Sequence, residues 1–421
     1  HVFVVAAFNE MAQMLQIRGV KAFEMPKFKS MFDVMFDLAF EDGTLPKIGT
    51  GGGGTLIGCA GVFEQIAAVT RDPRYLDLLS RSDRIEYAHS AGIPIPLLYG
   101  PEQLSKPAHK KLFLAKSRYL SGIGYAILRA ETPAGVLEGL LTCGPTSQGK
   151  GHPDRLGLIL RGLGRELCID PGYAGYGQPN DATWYYQSVS HNVVTVDQMT
   201  QRFAEAKCLF FQDDEKLQAV RADSETLYLG VHLSRTLILD PRGWFIDIAV
   251  AESENAHDYD WLYHSYGEIE SNLTFLPGKG AAGAQNGYHH ISSCRKATTS
   301  QNWQILWKFK DSSGVLITMA GQPETNVIFG KGLCMGSQAI GKYDNRPINC
   351  LITRHNNASK ALWVSLIEPL KQAKKGQLSR LQLTQFNGIN DIAVTVEQQG
   401  RQVEYHISNT GVQCNNAEKR E

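Results

Sequence analysis

The sequence predicts an α+β chain of more than one domain, with helices first and a large antiparallel β-sandwich after them. Three observations predict it. Apolar residues recur at helical spacing over roughly the first eighty positions. From about residue 113 the texture changes to short, often alternating apolar runs separated by turn signals. Between the two, glycines and prolines crowd residues 92–107. The expected division is therefore a helical part over 1–112 and a sandwich over 113–421, with a further break near residue 330 left open.

Val4, Phe8, Met11 and Leu15 share one helical spacing, and Gly19 is a stop signal. Pro26 starts a second pattern through Phe28, Met31, Phe32, Met35, Phe36 and Ala39. The glycine-rich run EDGTLPKIGTGGGG has no GK[ST] ending and no strand before it, which argues against a phosphate loop. Leu56 to Val69 and Pro73 to Leu79 read as further helices. Strand candidates follow: YLSGIGYAILRA, LEGLLTC, RLGLILRG, HNVVTVDQ and TLYLGVHLSRTLILDPRGWFIDIAVAES. The last carries its own turn, Asp240-Pro241-Arg242-Gly243. QILWKF, GVLITMAG, ALWVSLIEP and QVEYHIS continue the pattern to about Tyr405, and NNAEKRE closes as a frayed tail.

Bulk composition excludes some functions. The 421 residues carry 42 Lys and Arg against 42 Asp and Glu. A balance of zero gives no global field for nucleic acid or an anionic membrane, though a local basic cleft could still hold an anionic substrate. No apolar run reaches the roughly 18 residues of a membrane span. The eight cysteines are scattered without a CxxC pair, which argues against a cysteine zinc knuckle and a thioredoxin-like site and leaves the redox compartment open. The chain opens HVFVVAAFNEMAQML, without Met or signal peptide and inside a helical pattern. The expectation is a fragment that lacks an upstream part and any secretion signal.

The segment Gly149–Gly172, GKGHPDRLGLILRGLGRELCIDPG, places His152 and Asp154 before an apolar strand and Asp170 at its return. A hairpin would fold both ends onto one rim. His152, Asp170 and His191 are then candidate metal ligands, since two imidazoles and a carboxylate suit zinc with one place left for water. A His–Asp hydrogen bond without metal is the competing reading.

That segment, with WYYQSVSHNVVTVDQ and HDYDWLYHSYGE after it, resembles the heparinase II/III-like family of polysaccharide lyases, which includes alginate and oligoalginate lyases. The family usually reads GxGHxD, an apolar strand, VDPG and then HNTVVVDG. FEDGTLPKIG extends the likeness weakly into the helical part. The resemblance implies the C-terminal part of an incomplete α/α toroid followed by antiparallel β-sandwich, with the substrate cleft between them. It implies β-elimination at a uronic acid, a structural divalent metal (zinc), an acidic polysaccharide or oligosaccharide as partner, and a periplasmic or secreted location. Two departures stand out. Lys150 occupies the first place of the family's HxH, and the toroid's Asn or His and its catalytic Tyr have no match after His1.

β-Elimination removes the proton on C5 of a uronate and expels the oxygen on C4. The neighbouring carboxylate must be neutralised by donors or cations, and an acid and a base must stand near the sugar. A tyrosine can serve as both. Tyr185, read on a strand where Tyr186 points to the opposite face, is the preferred catalytic tyrosine by resemblance; a packed sandwich aromatic is the alternative. Lys150 could neutralise the carboxylate or be a solvated turn lysine. Tyr173 and Tyr176 could contact sugar or be loop aromatics. Asn192 offers an amide, and His264 either a sugar contact or core packing. Two functions from different classes follow: a lyase on an acidic polymer, and a non-catalytic carbohydrate-binding or structural sandwich. A glycoside hydrolase would need two carboxylates astride the bond, and Asp154, Glu166 and Asp170 make no convincing pair by sequence.

Overall fold

The computed structural model describes residues 2–51, 53–82, 116–146, 151–173, 177–178, 180–278, 280–335, 345–373, 379–398 and 400–417. Two compact units emerge: His1–Pro46 with Gly53–Ala115, and Lys47–Gly52 with Lys116–Glu421.

The first unit is helical. Helix α1 spans Val2–Ile17 and α2 spans Pro26–Leu38, opening on the proline that costs a helix nothing at its first position. A 3₁₀ turn over Ile57–Phe63 leads into α3, Glu64–Thr70. Helix α4, Pro73–Arg81, is capped by the Asp72 carboxylate, which accepts from Arg74 N. The core is aromatic: Phe32, Phe36, Phe63 and Tyr75 meet ring to ring. Helix α1 buries Val5 and Ala12, while the stripe Val4, Phe8, Met11 and Leu15 faces outward.

The second unit holds three antiparallel sheets. The first is a meander of β1 (Arg118–Leu120), β2 (Tyr125–Thr132), β3 (Gly135–Thr142), β4 (Leu158–Gly162) and β5 (Arg165–Cys168). The second has twelve strands. It contains β6 (Val194–Val196), β7 (Lys207–Asp213), β8 (Gln218–Tyr228), β9 (Val231–Asp240), β10 (Trp244–Ser265) and β11 (Glu268–Ser271). It continues with β12 (Leu276–Pro277), β13 (Ser292–Thr299), β14 (Trp303–Lys308), β15 (Gly314–Met319), β16 (Thr325–Met335) and β17 (Asn345–Leu370). The third is β18 (Arg380–Phe386), β19 (Ile392–Gln398), β20 (Arg401–Ile407) and β21 (Val412–Ala417). Residue 330 lies inside β16, which pairs with β13 and β17. The next separate sheet begins at Arg380.

The twelve-stranded sheet is the middle layer because both of its faces are apolar. Along β10, Phe245, Ala249 and Ala251 join the core shared with the five-stranded sheet. Trp244, Ile246, Ile248 and Val250 point the other way, into the core shared with the four-stranded sheet. Period-two alternation with apolar residues on both sides makes the continuous hydrophobic run seen in the sequence. One polar element interrupts it. Arg235 and Asp247, both buried, pair through two hydrogen bonds of 2.8 and 2.7 Å. Arg235 also donates to the carbonyls of Leu156 and Asn192, and Trp261 donates to Asp247. A buried charge pair with every group hydrogen-bonded is tolerated. Here it anchors two loops that carry the polar rim described next.

Candidate active site

Strands β4 and β5 form a hairpin through Leu163 and Gly164, both at positive φ, as a tight two-residue turn requires. The chain that leaves on β4 from the His152 loop therefore returns at Asp170. Leu156 is also left-handed (φ 60°), a conformation that costs energy for a branched residue. Its N–H to Thr142 O and its carbonyl from Arg235 hold it there. Gln201 brackets Arg155, accepting from its N–H and donating to its carbonyl. Ser188 donates to Pro153 O and accepts from Gln201 N. The loop before β4 and the turn before His191 are thus bound together.

The hairpin brings two of the three expected ligands, Asp170 and His191, together, with Asp154 in the place expected of His152. Asp154, Asp170 and His191, all buried, offer ligand atoms within 4.8 Å of one another. The His191 Nδ1–H donates to Asp170 Oδ2 at 2.7 Å, and Nε2–H to Tyr185 O at 3.1 Å. Asp170 Oδ1 accepts from Gly172 N, closing the Asp-Pro-Gly turn. Burial opposes charge on His191, but Asp170, with Asp154 behind it, outweighs burial and raises its pKa. Burial likewise opposes the charge on Asp154, yet Arg155 and the two imidazoles hold its carboxyl below the usual range. In this arrangement the Asp170 carboxylate and the Tyr185 carbonyl face the two ring nitrogens of His191 and favour its charged form.

His152 is different. It is fully buried, 5.2 Å ring to ring from His191, and neither of its nitrogens has a hydrogen-bond partner. Burial, and then the charge on His191, lower its pKa to about 4, so it is neutral and carries a lone pair. A buried, unpaired imidazole is costly, and beside two carboxylates and a histidine it fits a divalent cation. The residues present can therefore hold a metal. His191 would give up one of its present hydrogen bonds to join. Asp154, passed over by sequence reasoning except as a hydrolase carboxylate, belongs to this group; its place two residues after His152 was the available signal.

The other expected residues fall elsewhere. Tyr185 and Tyr186 are not on a strand. Asp181–Tyr185 forms a single π-helical turn, so the alternation argument does not apply to them. Trp184 anchors that turn, donating to Leu333 O at 2.7 Å. Tyr185 is fully buried, and burial pushes its hydroxyl well above the ordinary pKa. Tyr186 is half-buried and tilts against His152, with centroids 4.5 Å apart. Tyr173 lies nearly buried, edge-on to His152.

Asn192 and His264 are interior groups rather than sugar contacts. Asn192 Nδ2 donates to Leu158 O and Ile169 O, and its Oδ1 accepts from His264 N and Nδ1. Every hydrogen-bonding atom of that amide is spent on holding β4, β5 and β10 together. His257, seven residues before His264, pairs with Asp197 on the surface side. Lys150 and Tyr176 lie outside the described residues. One cation was missed: Lys47, buried, pairs with Glu166 at 3.2 Å, and its stem packs under Gly172. Burial opposes its charge, but Glu166, with lesser help from Asp170, raises its pKa. It sits in the LPKIG stretch, 119 residues from its partner, and no local pattern reveals that contact.

A family model, "Heparinase II/III-like, C-terminal", matches residues 114–356. An exo-oligoalginate lyase of Saccharophagus degradans is 24% identical over 256 residues, which cover 53% of this chain and 34% of that protein. Among solved structures, a heparinase III gene product aligns over 98% of this chain and 56% of its own, with TM-score 0.69 and 13% identity. The crystal structure of a heparan sulfate lyase from Pedobacter heparinus aligns over 97% and 57%, with TM-score 0.68 and 16% identity. These structures share the fold of helices followed by stacked antiparallel sheets. The chain spans about a third of the length of the curated relative and somewhat more than half of each solved one.

Proposed function

The chain belongs to the heparinase II/III-like, C-terminal family, and from that premise we propose that the protein is a polysaccharide lyase. It would cleave a uronate-containing polymer by β-elimination and leave a 4,5-unsaturated uronate at the new end. The observation that carries the reading is the rim itself. The family's GxGHxD, DPG and HN segments, scattered over forty residues, close into one buried cluster of His152, Asp154, Asp170 and His191. The two named lyases among its relatives support the substrate class, an acidic polysaccharide.

In this proposal Asp154, Asp170 and His191, with His152 beside them, would hold a divalent cation, and zinc would suit such a donor set. A bound ion would supply fixed positive charge, and its ligands on the hairpin and at His191 would then be tied together. The chain's own residues do the rest. Lys150, two positions before His152, is assigned to the substrate carboxylate, whose neutralisation makes the C5 proton removable. Tyr185, the sequence choice for acid and base, is enclosed. Of the two tyrosines, Tyr186 has the accessible ring and the contact with His152, so that role passes to Tyr186. A polymer too large to enter cells assigns the work to the periplasm or the exterior.

The test is a panel of acidic polymers incubated with the full-length protein, read by the ultraviolet absorbance of the unsaturated product. Absorbance on at least one uronate polymer, lost in Lys150→Ala and Tyr186→Phe, is the expected result. Silence on every polymer would leave the non-catalytic carbohydrate-binding reading in its place.

A further inference from the structure

Away from the rim, a cavity of about 650 Å³ opens between β14–β15 of the middle sheet and β18–β20 of the four-stranded sheet. Its volume lies within the roughly 300–1,000 Å³ of small-ligand sites, but its lining departs from their usual apolar character. Five primary amides line it: Asn272, Asn302, Gln304, Gln382 and Gln402. Three hydroxyls on buried residues join them, from Thr318, Ser379 and Thr395. One cation, Arg380, stands 4.0 Å from one carboxylate, Glu397. Leu381 is the sole apolar residue of the lining and is itself 2% exposed.

This composition selects a ligand. A single carboxylate beside an arginine is no divalent-cation site. One arginine, 84% exposed, is too little for a phosphate cluster. The accessible lining is about as much apolar as polar, but with Leu381 buried the apolar share comes from the stems of polar side chains, and no aliphatic or aromatic side chain is offered to a hydrophobic peptide. Amides and hydroxyls, each able to donate and to accept, match the adjacent hydroxyls of a sugar. Part of the set is already fixed in place. Gln304 Nε2 donates to Thr318 Oγ1 at 3.0 Å, and Asn272 Oδ1 accepts from Gln304 N at 2.9 Å. Ser379 is tied to the buried Glu368, which also accepts from Gln398 on β19. Fixed polar groups lower the ordering cost of binding.

We propose that this cavity is a second saccharide-binding site, separate from the rim, that takes a hydroxyl-rich oligosaccharide whose carboxylate meets Arg380. The inference does not require the lyase reading, because it rests on the lining alone. A polymer held there would stay attached between events at any other site, as linked sites raise effective concentration.

Hydrogen exchange of the full chain with a uronate tetramer, and separately with a neutral gluco-tetramer, locates binding directly. Slowed exchange is expected in peptides covering 302–304, 379–382 and 395–402 with the uronate ligand. Gln382→Ala combined with Gln402→Ala, both on exposed positions, should weaken that ligand at least tenfold. Arg380→Gln should weaken the uronate more than the neutral tetramer. No slowing in those peptides, or slowing confined to 152–192, would overturn the inference while leaving the lyase reading to its own assay. Parent-like affinity in the double variant would overturn it as well.

Discussion

Asn192 shows how one side chain can look like a ligand and be a rivet. It stands beside a rim histidine, yet its amide is consumed by Leu158, Ile169 and His264. Asn192→Ala would strand two carbonyls and an N–H in the interior. The expected cost is about 2 to 5 kcal/mol in urea unfolding, with saccharide affinity per folded molecule unchanged. Metal content is a second residue-scale test. Removing a divalent ion with chelator should lower the melting temperature, and zinc should restore it. Asp170→Ala should abolish that response. A chain that purifies without metal and melts identically with chelator would leave the His191–Asp170 hydrogen bond to hold the rim without an ion. Glu368 offers a pH signature elsewhere. Burial raises its carboxyl from 4.5 to about 7, against the donations from Ser379 and Gln398. An acid whose folded pKa is raised stabilises fully below its unfolded pKa and loses that contribution as pH rises through the folded value. Stability should therefore decline between about pH 4.5 and 7 by on the order of 3 kcal/mol from this group. Glu368→Gln should flatten the decline, as melting curves over that range would show.

At the scale of elements, most strands were legible because buried alternation is a local property. TLILDPRGWFIDIAV became β9, its turn and β10, and Pro26 and Pro73 each began a helix. The WYY segment misled for a physical reason. Aromatic residues favour strands, but here Trp184 is drawn into a hole over Gly332, where an added Cβ would lie 2.8 Å from the indole and from Cys350 Sγ. That tertiary contact winds the chain into a π turn instead. Gly332→Ala should overpack this spot and cost about 1 to 3 kcal/mol. The shift is measurable by chemical denaturation, and a neutral result would show that the turn adjusts freely. The rim was half legible. The hairpin logic joins His152 to Asp170, while the partner of Lys47 lies 119 residues away and leaves no trace in spacing.

At the scale of the whole molecule, the middle sheet is the element on which the other sheets of the second unit depend. Strands β10 and β17 pair along most of their length, from Phe245 with Ile367 to Ser265 with Asn349. One bears apolar cores on both faces, and the Arg235–Asp247 pair on it reaches the rim loops. Amide exchange should be slowest in these two strands. Rim segments exchanging slower than β10 would reverse that order of dependence. The layering could be foreseen only in part: apolar runs announce burial on two sides, but the pairing of β10 with a strand a hundred residues later is a non-local choice.

The outward stripe of α1 has a colloidal consequence. Val4, Phe8, Met11 and Leu15 are 37–47% exposed, and Ile17 is 80% exposed. Formal net charge is zero near neutrality, so no long-range repulsion keeps molecules apart when these patches meet. Preparations of this chain should scatter more light as sulfate is added. They should clarify as the buffer moves away from neutral pH, because the chain's solubility depends on how much charge the medium gives it.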